Sequence, residues 1–300
     1  MSSDLLNVPD WSSAGRLAAR VTPGGPTVST SGATAAVTRL RRAAQWSEPM
    51  LPRLSGLEEA SVRAAVRPAL VVDRRGAIAV CARILDDLSG RGAPSSRPPR
   101  SSMSRIAAPV STVGSFALLR AVGPRLHGLW DPVRERRVLV APTVLVTAEL
   151  DSLDQTEYAR WVAVRVGLWG VLCEQAPWLT AHLSHLLRNL PGAVSGLVRL
   201  EVLLDELVTC QMDALTPMDI SSVRWIRRNA TDPMVGLGPA SLRHLGATAG
   251  DIAAVRARAQ DLARVIVGAG AVATLLRSPD HLPTAEEFDR PEAWLDRVGL

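Results

Sequence analysis

Thr156-Glu-Tyr-Ala-Arg-Trp-Val-Ala-Val-Arg165-Val-Gly-Leu-Trp169-Gly-Val-Leu-Cys-Glu-Gln175 is apolar over most of its length, and Pro177 follows closely. The run predicts one long buried helix that stops at the proline. Arg165 splits it before it reaches membrane length, and Arg120 ends the other strongly apolar stretch in the same way. On either side, helical periodicity continues. Downstream it predicts helices over Trp178–Leu190, Val194–Met212, Pro239–Leu245, Thr248–Leu276 and Ala285–Val298, the last opened by Thr284 and Glu287 in a capping-box spacing. Upstream it predicts helices over Trp11–Val21 behind the N-cap residue Asp10, from near Ser31 and over Ile106–Leu129, and reads Val71–Leu88 as an apolar run that continues as helix. Only Arg137-Val-Leu-Val-Ala-Pro142 has the β-branched content of a short strand. The expected class is mainly α with at most a small β element.

Between the helices, residues 89–104 are rich in Pro, Gly and Ser and predict a mobile loop. No repeat period is visible, and residues 1–300 are expected to form a single domain. A chain of 300 residues buries roughly three-quarters of its unfolded surface, so neither disulfide nor metal is needed to hold a core. Its 47% hydrophobic content excludes wholesale disorder.

The charge balance is 34 basic against 29 acidic residues, and every basic residue is Arg. A pI near 10.2 therefore reflects a cation that cannot deprotonate more than a large excess of charge. A GC-rich coding genome accounts for the missing Lys. The basic residues are dispersed, which argues for solvated faces over a nucleic-acid stripe. Cys81, Cys173 and Cys210 are widely separated in apolar stretches and make no disulfide framework. With no basic start and apolar run at the N-terminus, the expected location is the cytoplasm.

Chemistry-bearing motifs are sparse. The histidines are His127, His182, His185, His244 and His281, and no HExxH, CxxC, nucleophile-elbow or phosphate-loop pattern occurs. Gly236-Leu-Gly238 and Gly268-Ala-Gly270 read as turn or packing glycines. His182 and His185, three apart on one predicted helix, could ligate a metal if Cys173 or Glu174 folded back toward them at the Pro177 corner.

Several long blocks, taken together, resemble the actinobacterial zincin-like type 2 metallopeptidase family, some of whose members are labelled deazaflavin-cofactor biosynthesis-associated. They are Phe116-Ala-Leu-Leu-Arg-Ala-Val-Gly-Pro-Arg-Leu-His-Gly-Leu-Trp-Asp131-Pro132, Arg137 to Pro142, Arg160 to Leu179, Ser278-Pro-Asp-His-Leu-Pro-Thr284 and Pro291-Glu-Ala-Trp-Leu295. Asp10-Trp11 and Val71-Val72-Asp73-Arg74 fit the same pattern. In that family the helix before the Pro-Trp-Leu corner carries His-Glu-x-x-His, two zinc ligands and a general base. Counted back from Pro177, the resemblance puts those roles on Arg165, Val166 and Trp169. None of these has a lone pair for zinc or a group to take a proton. A further family segment aligns with Leu203-Leu204-Asp205-Glu206-Leu207, which keeps an acid at Asp205 but has Leu207 where the family has an imidazole.

The resemblance thus implies a zincin-like helical fold and a catalytically inactive homologue without zinc, acting as a scaffold or regulator on a protein partner or as a homo-oligomer. Arg165 and Trp169 lie i,i+4 on one face and are expected to stack in the vacated space, with Asp205 first and Glu206 second as carboxylate partner. One alternative is a zinc-dependent hydrolase with ligands relocated to His182, His185, Cys173 and Glu174. A weaker one is an acidic-partner or nucleic-acid binder built on Arg224, Arg227 and Arg228 around Trp225.

Overall fold

A computed structural model describes residues 10–90, 114–190, 192–230, 233–236 and 238–300. The long apolar run forms helix α8, Gln155–Gln175, with α1 Trp11–Val21, α2 Thr30–Ser47, α3 Met50–Ser55, α4 Glu58–Ala65, α5 Arg74–Leu88, α6 over 114–122 and α7 Ala141–Leu150 preceding it. Asp154 caps α8, its carboxylate accepting from the backbone N–H of Thr156 at 2.9 Å and of Glu157 at 2.8 Å. From Tyr158 to Leu172 every residue except Arg160 is buried. A helix that is apolar all round must be enclosed by other elements. The enclosing elements are α2, α3, α4, α7, α10 (Val194–Met212) and the strands β2 (Leu126–Asp131) and β3 (Arg136–Val140). Small residues on α8 allow the close approach: a Cβ at Gly167 would lie 2.8 Å from Leu51, and one at Gly170 would lie 2.6 Å from the Trp130 ring.

The strand content is a four-stranded sheet in the order β1-β3-β2-β4, with β1 at Leu70–Val72 and β4 at Met234–Val235. β1 runs parallel to β3, β2 antiparallel to β3, and β4 parallel to β2. Arg137 of β3 is 1% exposed and ties the sheet to α2, donating to the Ala44 carbonyl at 2.9 Å, Ser47 Oγ at 3.0 Å and Glu48 Oε1 at 2.8 Å. Beyond the sheet, α9 (Trp178–Arg188), α11 (Val223–Asn229), α12 (Gly238–His244), α13 (Ala249–Gly268), α14 (Val272–Leu275) and α15 (Pro291–Val298) complete a mainly helical molecule. None of the described helices is long and apolar enough to cross a membrane.

Four expectations need correction. Val71 and Val72 belong to β1, and the helix behind them starts at Arg74, capped by Asp73. The expected helix over Ile106–Leu129 is, within the described residues, helical only over 114–122, and the chain then turns at Gly123-Pro124 into β2. The expected helix Thr248–Leu276 breaks at Gly270, whose φ of +63° ends α13 and lets α14 restart. Thr284 and Glu287 do bond reciprocally, but they close a turn, and α15 begins only at Pro291. Apart from Ser89 and Gly90, the 89–104 segment lies outside the described residues.

Candidate functional site

Arg165 projects from the middle of α8 and is 2% exposed. A guanidinium so far from water needs a counter-charge. α10 supplies it: Arg165 Nη2 meets Asp205 Oδ1 at 2.7 Å, and Nη1 donates to Thr209 Oγ1 at 3.2 Å. Thr209, one turn beyond Asp205, donates its own hydroxyl to the Asp205 carbonyl at 2.9 Å and is thereby oriented to accept from the arginine. The second carboxylate oxygen, Oδ2, accepts from Arg256 Nη2 of α13 at 2.9 Å, and Arg256 Nε lies 3.1 Å from Glu206 Oε1. Asp205 is therefore shared by two arginines, and one alternating chain of charge ties α8, α10 and α13 together.

The neighbouring positions are apolar. Val166 is wholly buried where β2 presses on α8. Leu207 is wholly buried in the core, and Trp169 is 7% exposed with no acceptor for its indole N–H among the described residues. The expected stacking of Arg165 on Trp169 is not among the arginine–indole contacts of the described residues, which are Arg160 over Trp46 at 4.8 Å and Arg227 over Trp161 at 5.9 Å, because Arg165 is drawn to Asp205.

Two members of the cluster, Asp205 and Arg256, line a cavity of about 460 Å³. Asp205 and Arg256 reach it from one side, Thr143 and Thr147 of α7 from another, and Arg74, Arg125 and His127 from the sheet end. His127 Nε2 lies 2.9 Å from Thr147 Oγ1, and the imidazole meets the Tyr158 ring edge-on at 6.1 Å. Burial lowers the His127 pKa to about 4, so the ring is neutral at neutral pH. Sequence reasoning picked out Asp205 for Arg165 but missed Arg74, Arg125, His127 and Arg256 as parts of the site. Helical periodicity runs through the strand that carries His127, and the Gly123-Pro124 breaker is the one sequence signal against it. The arginines carried no signal in a chain whose every cation is Arg.

The relocated-ligand set does not assemble. His182 stacks edge-on with Trp178 at 5.8 Å, and His185 is exposed beside Asn189. Cys173 packs against the core, and burial pushes its thiol up to about 12, far from the thiolate a metal needs. Glu174 pairs with Arg63 at 3.5 Å. Among the described residues no three His, Cys, Asp or Glu side chains gather as a metal-binding group. On the basic helix, Arg227 donates to the carbonyls of Met212, Asp213 and Leu215, while Arg224, Trp225 and Arg228 are exposed.

The fold and site together define a mainly helical protein around a small mixed sheet, with a buried ionic cluster beside a cavity. A sequence profile of zincin-like metallopeptidases matches residues 10–225, and the chain belongs to that family. A crystal structure from Chloroflexus aurantiacus, described as a candidate hydrolase with a novel fold, superposes with a TM-score of 0.68 over 97% of this chain and 99% of that one, at 16% identity. That likeness is one of fold. No curated protein matches the chain. At the positions the resemblance assigns to zinc, the buried cation of Arg165 holds the Asp205 carboxylate of α10, and a guanidinium has no lone pair to offer a metal.

Proposed function

We propose that this chain is a non-catalytic member of the zincin-like family that works by binding, as a scaffold or regulator with a protein partner or a second copy. Arg165, Val166 and Trp169 stand at the positions of the family's two histidines and glutamate, and Leu207 at a further ligand position. The observation that carries this reading is the 2.7 Å pair between buried Arg165 and Asp205, which puts a fixed positive charge where a dication would have to sit. Trp169, one turn along α8, is buried and has no lone pair for a metal. The same reading takes residues 1–300 as one zincin-like domain of actinobacterial origin. Three free cysteines support a reducing, cytoplasmic setting.

The test is elemental mass spectrometry on protein purified without a tag or chelator, paired with a peptide-hydrolysis assay. The expected result is no zinc above background and no cleavage. Zinc near one equivalent, with cleavage lost on chelation, would overturn the reading and favour a metal-dependent hydrolase.

A further inference from the structure

The ionic cluster accounts for Asp205, Arg256 and Glu206, but two other cations on the cavity wall are not answered in this way. Arg74, at the start of α5, donates Nε to Thr143 Oγ1 at 3.3 Å, and Arg125 stands just before β2. Neither has a carboxylate partner among the described residues. Arg74 is moreover partly buried, and loss of solvation lowers its pKa with no anion to offset it. A partly desolvated guanidinium beside an open cavity, with no carboxylate paired to it, is a ready counter-charge for an anion.

The rest of the lining sets the kind of anion. Val146, Leu150, Met234 and Val235 make most of the wall apolar. His127 is neutral and engaged with Thr147, so it adds polarity without charge. Counting charged lining groups, Arg74, Arg125 and Arg256 face Asp151 and Asp205, which leaves a single positive charge. One net charge suits a monoanion, and two carboxylates on the wall disfavour a dianion. The volume, about 460 Å³, is in the range of small-molecule sites.

We propose that this cavity is a binding site for a small organic carboxylate with an apolar body, whose head group is held by Arg74 and Arg125 and whose body lies against α7 and β4. The inference rests on the non-catalytic reading in one respect, that Asp205 is bound to arginine and not to metal.

The test is isothermal titration of the full chain, after chelator treatment and again with added zinc. The probes are 3-phenylpropionate, hexanoate, their uncharged amides and inorganic phosphate. The expected result is binding of at least one carboxylate by the metal-free protein, about tenfold tighter than its amide, as loss of a charge-assisted contact implies. Phosphate binds more weakly. Arg74→Gln and Arg125→Gln each weaken the carboxylate about tenfold, while Arg39→Gln, on a separate groove between α2 and α8, leaves it unchanged. Arg125 is exposed, so its variant tests the site even if Arg74→Gln fails to fold. Equal affinity for acid and amide, tighter binding of phosphate, or indifference to both substitutions in folded protein would overturn the proposal. No carboxylate binding by a protein that also takes up no zinc would remove this inference and leave the non-catalytic reading intact. Carboxylate binding that appears only with zinc would overturn both.

Discussion

Asp205 sits between two cations, and the two ends of that arrangement are not equivalent. Arg165 is almost wholly removed from water and Arg256 is about one-third exposed. Removing the carboxylate strands the buried cation, a change that costs about 3 kcal/mol or more. Removing the cation leaves Asp205 still paired with Arg256, so the loss is smaller. Equilibrium urea unfolding should therefore show Asp205→Ala losing at least about 3 kcal/mol and Arg165→Met losing less than half of that. Equal losses would mean that the charge on Arg165 is answered elsewhere. The choice of Asp205 as partner was legible because a buried arginine on α8 demands an acid and α10 offered one at the right place. Arg256 was not legible, since the helix that carries it meets Asp205 only through tertiary packing. Burial first, then Arg165 and Arg74, lower His127 to about 4, while the Arg125 backbone and Asp151 oppose the shift. The unfolded chain takes up a proton near the ordinary value of about 6.5 and the native ring does not. Stability should consequently be full above pH 6.5 and fall as the pH drops toward 4, by about 3 kcal/mol from this group. His127→Gln should flatten that part of the profile, measured as the urea midpoint against pH.

Elements in this fold are fixed by close approaches as much as by propensity. β2 is buried at every position and so lacks the alternation by which a strand is recognised. Leu126, Leu129 and Trp130 fit a helical stripe equally well, which is why sequence periodicity carries a helix through them. What decides for a strand is pairing with β3 on one side and β4 on the other, a non-local fact. α8 and α10 were legible nearly to the residue because long apolar runs with clear stops have one solution. Gly128 is where sheet and central helix meet. A Cβ there would lie 2.7 Å from the Val138 carbonyl and 2.7 Å from Val166 Cγ2. The carbonyl belongs to the neighbouring strand and cannot swing away, so the sheet has to shift. Gly128→Ala should therefore destabilise by about 1–3 kcal/mol, as overpacking does. Thermal unfolding followed by circular dichroism checks this, and an unchanged midpoint would mean that β2 and α8 are less tightly apposed. Gly56→Ala is a useful contrast, since the space around it is open and only its φ of +68° resists a side chain.

At the scale of the molecule, a relative of the fold at 16% identity superposes over nearly the whole of both chains. The frame therefore tolerates replacement of most side chains, and family membership transmits architecture more faithfully than chemistry. The core reflects this: α8 is packed by apolar contacts from α2, α3, α4, α7 and α10. A ligand bound only by the native state stabilises it by RT ln(1 + [L]/Kd), about 4 kcal/mol at a thousandfold excess over Kd. For a chain of this size each kcal/mol moves the midpoint by roughly 2–4 °C. A resident zinc would thus appear as a fall of several degrees on chelation, whichever side chains held it. On the non-catalytic reading, with Arg165 paired to Asp205 between α8 and α10, the melting curve in EDTA should coincide with that in excess zinc chloride. A fall in EDTA that zinc restores would put a metal in the native fold, and would count against the non-catalytic reading before any substrate is known.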